Sequence, residues 1–247
     1  MTLREKREKQ GNWLFKRRSF IPLIVVGVGL MIYITLLHLG NISVHQWWVD
    51  FLFLCVGFFG LGIRIFTVGF TPKGTSGRNT GEGQIAEQLN TSGIYSIIRH
   101  PLYVGNFFMW LAPILFLEYG GLIFWIIVLY WYYYDKIIFA EEQFLQRKFE
   151  QQYIEWEAVT PRFLPRFSLY KKANLPFSLK NVLKREYNSF FSLVFTVTLL
   201  RFVGFMVTTK QLYLDTPWMI IISVSFLIFI VLKILKKYTN VLNVDGR

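Results

Sequence analysis

Long apolar runs constrain this chain more than any other feature. Residues 19–39 contain no Asp, Glu, Lys or Arg. Residues 47–70 are also apolar, with Asp50 near one end and Arg64 near the other. A helix needs about 20 apolar residues to cross the hydrocarbon core of a bilayer. Each run is therefore predicted to form a membrane-spanning helix.

Residues 102–140 are apolar as well, but they are too many for a single crossing. The sequence Glu-Tyr-Gly-Gly at 118–121 divides them and is typical of a tight turn. Two short helices are predicted there, joined as a hairpin within the membrane. Two further runs, 189–209 and 217–235, follow. The expected fold is all-α: a polytopic membrane protein with about six transmembrane helices.

The basic residues indicate how the spans are oriented. Of the 27 Lys and Arg residues, 23 lie in residues 1–18, 71–100, 141–188 and 233–247. If six spans alternate, these segments lie on one side of the membrane, and the opposite loops hold only Lys210. Cytoplasmic loops carry an excess of Lys and Arg. Both termini are therefore expected in the cytoplasm.

Composition narrows the class of protein further. Charged residues make up 17% of the chain, against about 25% in a typical soluble domain. This disfavours a disordered chain and an ordinary soluble enzyme. In so apolar a chain, the net charge of +12 points to a membrane and not to nucleic acid. The three His and one Cys lack the spacing of zinc ligands, so no metal site is predicted.

A first polar cluster precedes the third predicted span. Pro101 suits the first turn of a helix, so Arg99 and His100 are expected at its N-terminus, where an anionic group is favoured. Tyr103 follows about one turn later, and Gly105 would let a ligand or another backbone come close. The alternative is an ordinary helix start at the membrane surface, with Arg and Tyr as headgroup anchors.

A second polar cluster is the pair Glu141 and Glu142 at the end of the fourth predicted span. Apolar residues continue at helical spacing towards Pro161, so the helix is expected to extend past the membrane. Successive helix residues lie about 100° apart, so at least one Glu can face inward. The hairpin would bring both towards the first cluster. The alternative is a solvated charge pair.

Two arginines are weaker candidates for substrate binding. Arg162 stands in a segment bracketed by Pro161 and Pro165. That rigid segment is expected either to lie over the site as a lid or to link it to the next span. Arg201 lies within the fifth predicted span, where a lone Arg costs roughly 2.5–3.5 kcal/mol. It should face the bundle, a partner or a lipid headgroup, or extend along the helix to the surface.

These clusters resemble a family signature. Arg-His-Pro-Leu-Tyr at 99–103, followed by Glu141-Glu142, is similar to the "RHPxY … EE" motif of the isoprenylcysteine carboxyl methyltransferase and phospholipid methyltransferase superfamily. The flanking sequences at 93–95 and 161–165 match as well, and the resemblance covers about residues 47–167. There are departures: Ile94 replaces the usual Pro, and Glu150 stands where the family often has Phe-Gly.

The resemblance implies an enzyme that uses S-adenosylmethionine as methyl donor on the cytoplasmic face. A lipid or lipidated acceptor would enter from the bilayer, and its reacting group could be a carboxylate, a phosphate or an amine. The implied catalytic residues are Arg99, His100 and Glu142. The implied cofactor-binding positions are His100, Pro101, Tyr103, Gly105, Glu141 and Glu142. Such a protein would lie in a bacterial inner membrane or in the endoplasmic reticulum membrane.

Four regions are then expected along the chain. They are a basic N-terminus (1–18), two spans (19–70), the methyltransferase core with the hairpin (71–167), and a basic linker with two further spans (168–247). Two other functions stay open: a membrane reductase of the sterol type that uses NADPH, and a membrane scaffold or transporter without catalysis. A transporter would be expected to show internal repeats, and the sequence shows none.

Overall fold

The computed structural model describes residues 1–75 and 84–247, and these form helices without any strand. The helices are α1 (Leu3–Arg17), α2 (Ile21–His38), α3 (Trp47–Gly69), α4 (Pro101–Leu115), α5 (Gly120–Val159), α6 (Leu179–Thr209) and α7 (Thr216–Tyr238). Short 3-10 turns occur at Ile94–Ser96 and Phe167–Leu169. Part of the polar loop expected before α4, including the basic residue Arg78, lies outside the described residues.

The predicted all-α, polytopic architecture is confirmed. Five helices are long and apolar enough to cross a membrane: α2, α3, α5, α6 and α7. The sixth expected span is α4, which is apolar but has only 15 residues. At about 1.5 Å per residue it is shorter than the hydrocarbon core. The predicted break in the hairpin is also found, because α4 ends at Leu115 and α5 begins at Gly120.

The alternating helices gather the connecting segments at two ends of the bundle. At one end, which we call the basic end, Lys73 donates a backbone hydrogen bond to Gly246 (2.8 Å) and Gly93 bridges to Lys171. At the other end, which we call the opposite end, the loops 39–46, 116–119 and 210–215 meet. The basic end is the one that the charge pattern predicts to face the cytoplasm.

Helix α1 was not expected from the sequence. The first 18 residues were predicted only as a basic N-terminus, yet Thr2 and Glu5 form a capping box that starts a helix. Phe15, on this helix, is buried against Ile137 and Ile138 of α5. The basic N-terminus is therefore folded onto the long helix beside the site.

The positions of α3 and α4 set the geometry of the site. The main apolar core lies between α2, α3, α4, α6 and α7, with Leu54, Ala112 and Trp218 fully buried. Gly60 of α3 and Gly105 of α4 let these two helices approach closely, since a side-chain carbon on Gly105 would lie 2.8 Å from the Gly60 carbonyl oxygen. Helix α4 is therefore fixed along α3, and its N-terminus is held at the basic end.

Candidate functional site at the basic end

The start of α4 is held by the segment that follows α5. His100 is the last residue before the helix, and Pro101 opens it. The backbone N–H of Arg99 donates to the carbonyl of Pro161 (2.9 Å), and that of His100 donates to Arg162 (3.3 Å). The proline-bracketed segment is therefore fastened beside the α4 N-terminus by its backbone.

Glu142 is surrounded by cationic and imidazole groups. His100 Nε2 lies 2.9 Å from its Oε1. Arg162 approaches both carboxylate oxygens, at 3.1 and 3.0 Å, and Arg99 Nη1 lies 3.3 Å away. Forked pairs of this kind fix geometry as well as charge. Glu142 thus ties α5 to the start of α4 and to the segment after α5.

The guanidinium group of Arg162 binds carboxylates of the protein. Besides Glu142, it contacts Asp135 of α5 through Nη1 (3.0 Å). Neither Arg162 nor Glu142 lines the cavity described next. The structure therefore brings Arg162 next to the predicted site but directs its guanidinium group to two carboxylates.

A polar cavity of about 460 Å³ lies beside this cluster. Such a volume is within the usual range for small-molecule sites. Its wall includes Arg99, His100, Pro101, Tyr103 and Glu141, all of which the sequence singled out. The predicted residues from the start of α4 and from α5 therefore converge on one cavity, with Glu142 directly behind it.

Glu141 and Glu142 occupy different places, although they are neighbours in sequence. The Tyr103 hydroxyl donates to Glu141 Oε2 at 2.9 Å, and both side chains line the cavity. One carboxylate therefore faces the cavity, whereas the other binds His100 and two arginines. This separation follows from the 100° step between successive helix residues.

Arg99 and two aromatic residues complete this side of the wall. Burial by itself disfavours the guanidinium charge, but Glu142 and Glu157 raise the pKa of Arg99 above its ordinary value. Its Nε is buried and has no hydrogen-bond partner among the residues that the structure describes. Trp156 donates to the Tyr95 carbonyl (3.0 Å), and both residues line the cavity. Burial also raises the pKa of Tyr95, so its phenol stays neutral.

Sequence reasoning missed a second polar group at the cavity. Arg64 of α3 makes a forked pair with Glu186 of α6 through Nε and Nη2, both at 2.8 Å. Its Nη1 donates to Asn106 of α4 at 2.6 Å. A charged residue at the end of a predicted span was a signal for Arg64. Its pairing with a residue 122 positions away was not readable from the sequence.

Gly105 serves the packing of helices and does not line the cavity. A side-chain carbon there would lie 2.7 Å from Arg64 Cγ and 2.8 Å from the Gly60 carbonyl oxygen. Of the two uses expected for this glycine, the structure provides the close approach of another backbone. It also leaves room for the stem of Arg64.

Arg201 lies at the opposite end, away from the cavity. It is 2% exposed and contacts Asp50 (2.5 Å) and Asp215 (2.6 Å). His45 lies between Asp50 (2.9 Å) and Glu118 (2.5 Å). We call these five residues the opposite-end cluster. Arg201 faces the bundle, one of the outcomes expected for it, but it does not join the other predicted site residues.

No group of three His, Cys, Asp or Glu side chains is placed to hold a metal ion within residues 1–75 and 84–247. The basic-end cavity is instead bordered by arginines, an imidazole, aromatic rings and one carboxylate. This set suits an organic ligand that carries both charged groups and a flat ring system.

The fold and the cavity together define an integral, multi-pass membrane protein with a polar site at one end of its bundle. The chain belongs to the phospholipid methyltransferase family, whose model matches residues 51–152. That region runs from α3 into the part of α5 beyond Glu142, and it includes Arg64, His100 and Tyr103. The predicted superfamily is thereby confirmed.

Two curated relatives carry names that refer to metal resistance. Over 173 residues the chain is 32% identical to the nickel-cobalt-cadmium resistance protein NccN of Alcaligenes xylosoxydans xylosoxydans, covering 65% of this chain and 70% of NccN. Over 126 residues it is 34% identical to the cobalt-zinc-cadmium resistance protein CzcN of Cupriavidus metallidurans, covering 50% of this chain and 54% of CzcN. No solved structure gives a significant match.

Proposed function

We propose that this protein is a membrane methyltransferase that binds S-adenosylmethionine in the basic-end cavity and methylates a lipidic acceptor. One observation carries the proposal. The cavity wall holds a carboxylate, Glu141, and a guanidinium group, Arg99, whose Nε has no hydrogen-bond partner among residues 1–75 and 84–247. The amino-acid part of S-adenosylmethionine carries an ammonium and a carboxylate, which are the complementary charges.

The residues present fit this cofactor. Glu141 would accept hydrogen bonds from the ammonium group, and Arg99 would donate to the carboxylate. Tyr95 and Trp156 offer aromatic surface for the adenine ring. When bound, S-adenosylmethionine supplies a methyl group on a positively charged sulfur.

The chain's own residues would then act by positioning and by excluding water. Glu142 holds His100 and Arg99 in place from behind the cavity wall, so the two groups that face the ligand need not reorganise. The buried start of α4 keeps water from part of the cavity, which strengthens charge interactions inside it. In this proposal Arg99 and His100 touch the reactants, and Glu142 is a positioning residue.

The proposal is tested by following the methyl group. Purified protein receives S-adenosylmethionine with a tritiated methyl group and a total lipid extract, and label is expected in the lipid phase. Arg99→Gln should lower the labelling about 10-fold or more, since a charge-assisted hydrogen bond is lost. The exposed Arg166→Gln is the matched control and should behave as wild type.

The same preparation separates the competing functions. NADPH oxidation in the presence of sterols, without methyl transfer, would identify a reductase and contradict the proposal. Folded protein that neither transfers methyl groups nor oxidises NADPH would favour a scaffold or a transporter.

The names of the two relatives favour a cellular setting for this activity. NccN and CzcN are named for resistance to nickel, cobalt, cadmium or zinc. We propose that methylation by this chain contributes to tolerance of such cations by changing a membrane component. Expression in a metal-sensitive bacterial host should raise cadmium tolerance, and Arg99→Gln should abolish the gain. Equal tolerance with the variant would show that any effect does not depend on the cavity.

A further inference from the structure

We infer that the acceptor is a lipid oxyanion, a carboxylate or a phosphate, and that α3 and α6 hold its charged group through Arg64 and Arg185. This inference rests on the proposed methyltransferase function and names the substrate class of the same site. It assigns a role to α6, all of which lies beyond the region that matches the family model.

The cavity wall is rich in positive charge. Four arginines line it, and Glu141 is the one carboxylate that does so among the described residues. The arginines are Arg18, Arg64, Arg99 and Arg185. Glu186, Glu142 and Glu157, which pair with two of them, do not line the cavity. In these ion pairs the arginine therefore lines the cavity, whereas the carboxylate does not.

The cavity has two walls of different origin. Arg99, Glu141 and Trp156 come from the start of α4 and from α5, and the proposal above uses them for the cofactor. Arg64 comes from α3 and Arg185 from α6. An acceptor must lie beside the cofactor in the same cavity, so the second wall is the one available to it.

Among the described residues, the partners of Arg64 use only some of its N–H donors. A guanidinium group has five N–H donors. The bonds to Glu186 and Asn106 use three of them, one each on Nε, Nη1 and Nη2. Two donors therefore remain for a ligand, on a side chain whose position Glu186 and Asn106 already fix. A preorganised guanidinium group is well suited to a carboxylate or phosphate.

An amine acceptor fits this wall poorly. A primary amine is protonated near pH 7 and would be repelled by the arginines. It would also need a base to remove its proton, and Glu141, the one carboxylate at the cavity wall among the described residues, is assigned above to the ammonium group of the cofactor. An oxyanion needs no base: its oxygen gains the methyl carbon, the sulfur keeps the electron pair of the broken carbon–sulfur bond, and no proton moves.

The test is competitive lipid binding, measured by native mass spectrometry of the full chain released from detergent. Oleate competes with oleylamine, and lysophosphatidate competes with lysophosphatidylethanolamine. Wild type is expected to prefer the anion of each pair. Arg185→Gln and the double variant Arg64→Gln/Glu186→Gln should each reduce that preference about 10-fold. The double variant keeps both side chains polar and leaves no buried charge unpaired.

The exposed Lys180→Gln on the same helix is the matched control and should keep the preference of wild type. Equal binding of oleate and oleylamine by wild type, or an unchanged preference in both test variants, would overturn the inference. Competition by inorganic phosphate as strong as that by lysophosphatidate would overturn the assignment to a lipid. Because S-adenosylmethionine is absent from this experiment, its result is separate from that of the methyl-transfer assay.

Discussion

The two ends of the bundle carry clusters of the same residue types, and the cavity described above lies at the basic end. In the opposite-end cluster, Arg201 and Asp50 are 2% and 1% exposed and bind each other. At the basic end, Arg99 also binds carboxylates, but its Nε has no partner in the part of the chain that the structure describes, and Glu141 lines a cavity of about 460 Å³. A buried ion pair within a membrane therefore does not by itself indicate a binding site. The proposed function relies instead on charged groups that remain at a cavity wall.

The greatest loss of stability is expected from a change in the opposite-end cluster. Arg201→Met leaves Asp50 and Asp215 without their cation, and breaking a buried pair in this way costs about 3–5 kcal/mol. Thermal unfolding in detergent measures the loss, with the exposed Arg166→Met as control. An unfolding temperature equal to that of wild type would contradict the structural role of this cluster.

Glu142→Gln should destabilise the protein next most strongly, by about 2–3 kcal/mol, because it removes the charge that Arg99, Arg162 and His100 share. Denaturant titration measures the loss. Glu155→Gln, an exposed position on the same helix, should leave stability unchanged. A wild-type midpoint for the Glu142 variant would mean that this carboxylate does not tie α5 to α4.

Gly105→Ala tests the close packing of α3 against α4, which positions Arg64 at the cavity wall. The new methyl group would crowd Arg64 and the Gly60 backbone, and overpacking of this kind costs about 1–3 kcal/mol. Gly62→Ala is the matched control on α3, where a side-chain carbon meets nothing within 4 Å. Equal unfolding temperatures for the two variants would argue against the close packing of α3 and α4.

A weaker effect is expected from the pH dependence of the opposite-end cluster. Burial lowers the pKa of His45, but hydrogen bonds to Asp50 and Glu118 outweigh burial and raise it above its ordinary value. The charged ring therefore stabilises the fold fully below about pH 6.5, the pKa of an unperturbed His. That contribution is lost as the pH rises through the folded-state pKa.

The unfolding temperature should accordingly fall on raising the pH above about 6.5, and His45→Gln should remove that part of the slope. An identical slope in the variant would show that His45 does not carry it. The neighbours that face the ring are Asp50, Glu118, Phe53 and Phe116.

Much of the fold was predictable because the length of an apolar run and the residues of a turn determine structure locally. The break before Gly120 followed from the Glu-Tyr-Gly-Gly sequence, and the spans followed from uncharged runs. Helix α1 was missed, although the capping pair Thr2 and Glu5 was a readable signal. Its packing against α5 depends on side chains far along the chain, which no local pattern reveals.

The residues of the candidate site could be predicted, but which of them face the cavity and which pair with one another could not. The motif brought His100, Tyr103 and the two glutamates together, and the structure finds them adjacent. Which glutamate faces the cavity depends on the rotation of α5 against α4, a tertiary property. The pairing of Arg64 with Glu186 likewise depends on how α3 and α6 pack.

Calorimetric titration of S-adenosylmethionine into three forms of the protein compares the two ends most directly. The forms are wild type, Glu141→Gln at the cavity, and Glu118→Gln in the opposite-end cluster, so each variant loses one carboxylate charge. Wild type and Glu118→Gln should bind with equal affinity, and Glu141→Gln should bind about 10-fold more weakly or not at all. Binding that is unchanged by Glu141→Gln, or weakened equally by both changes, would contradict the assignment of the cofactor to the basic-end cavity.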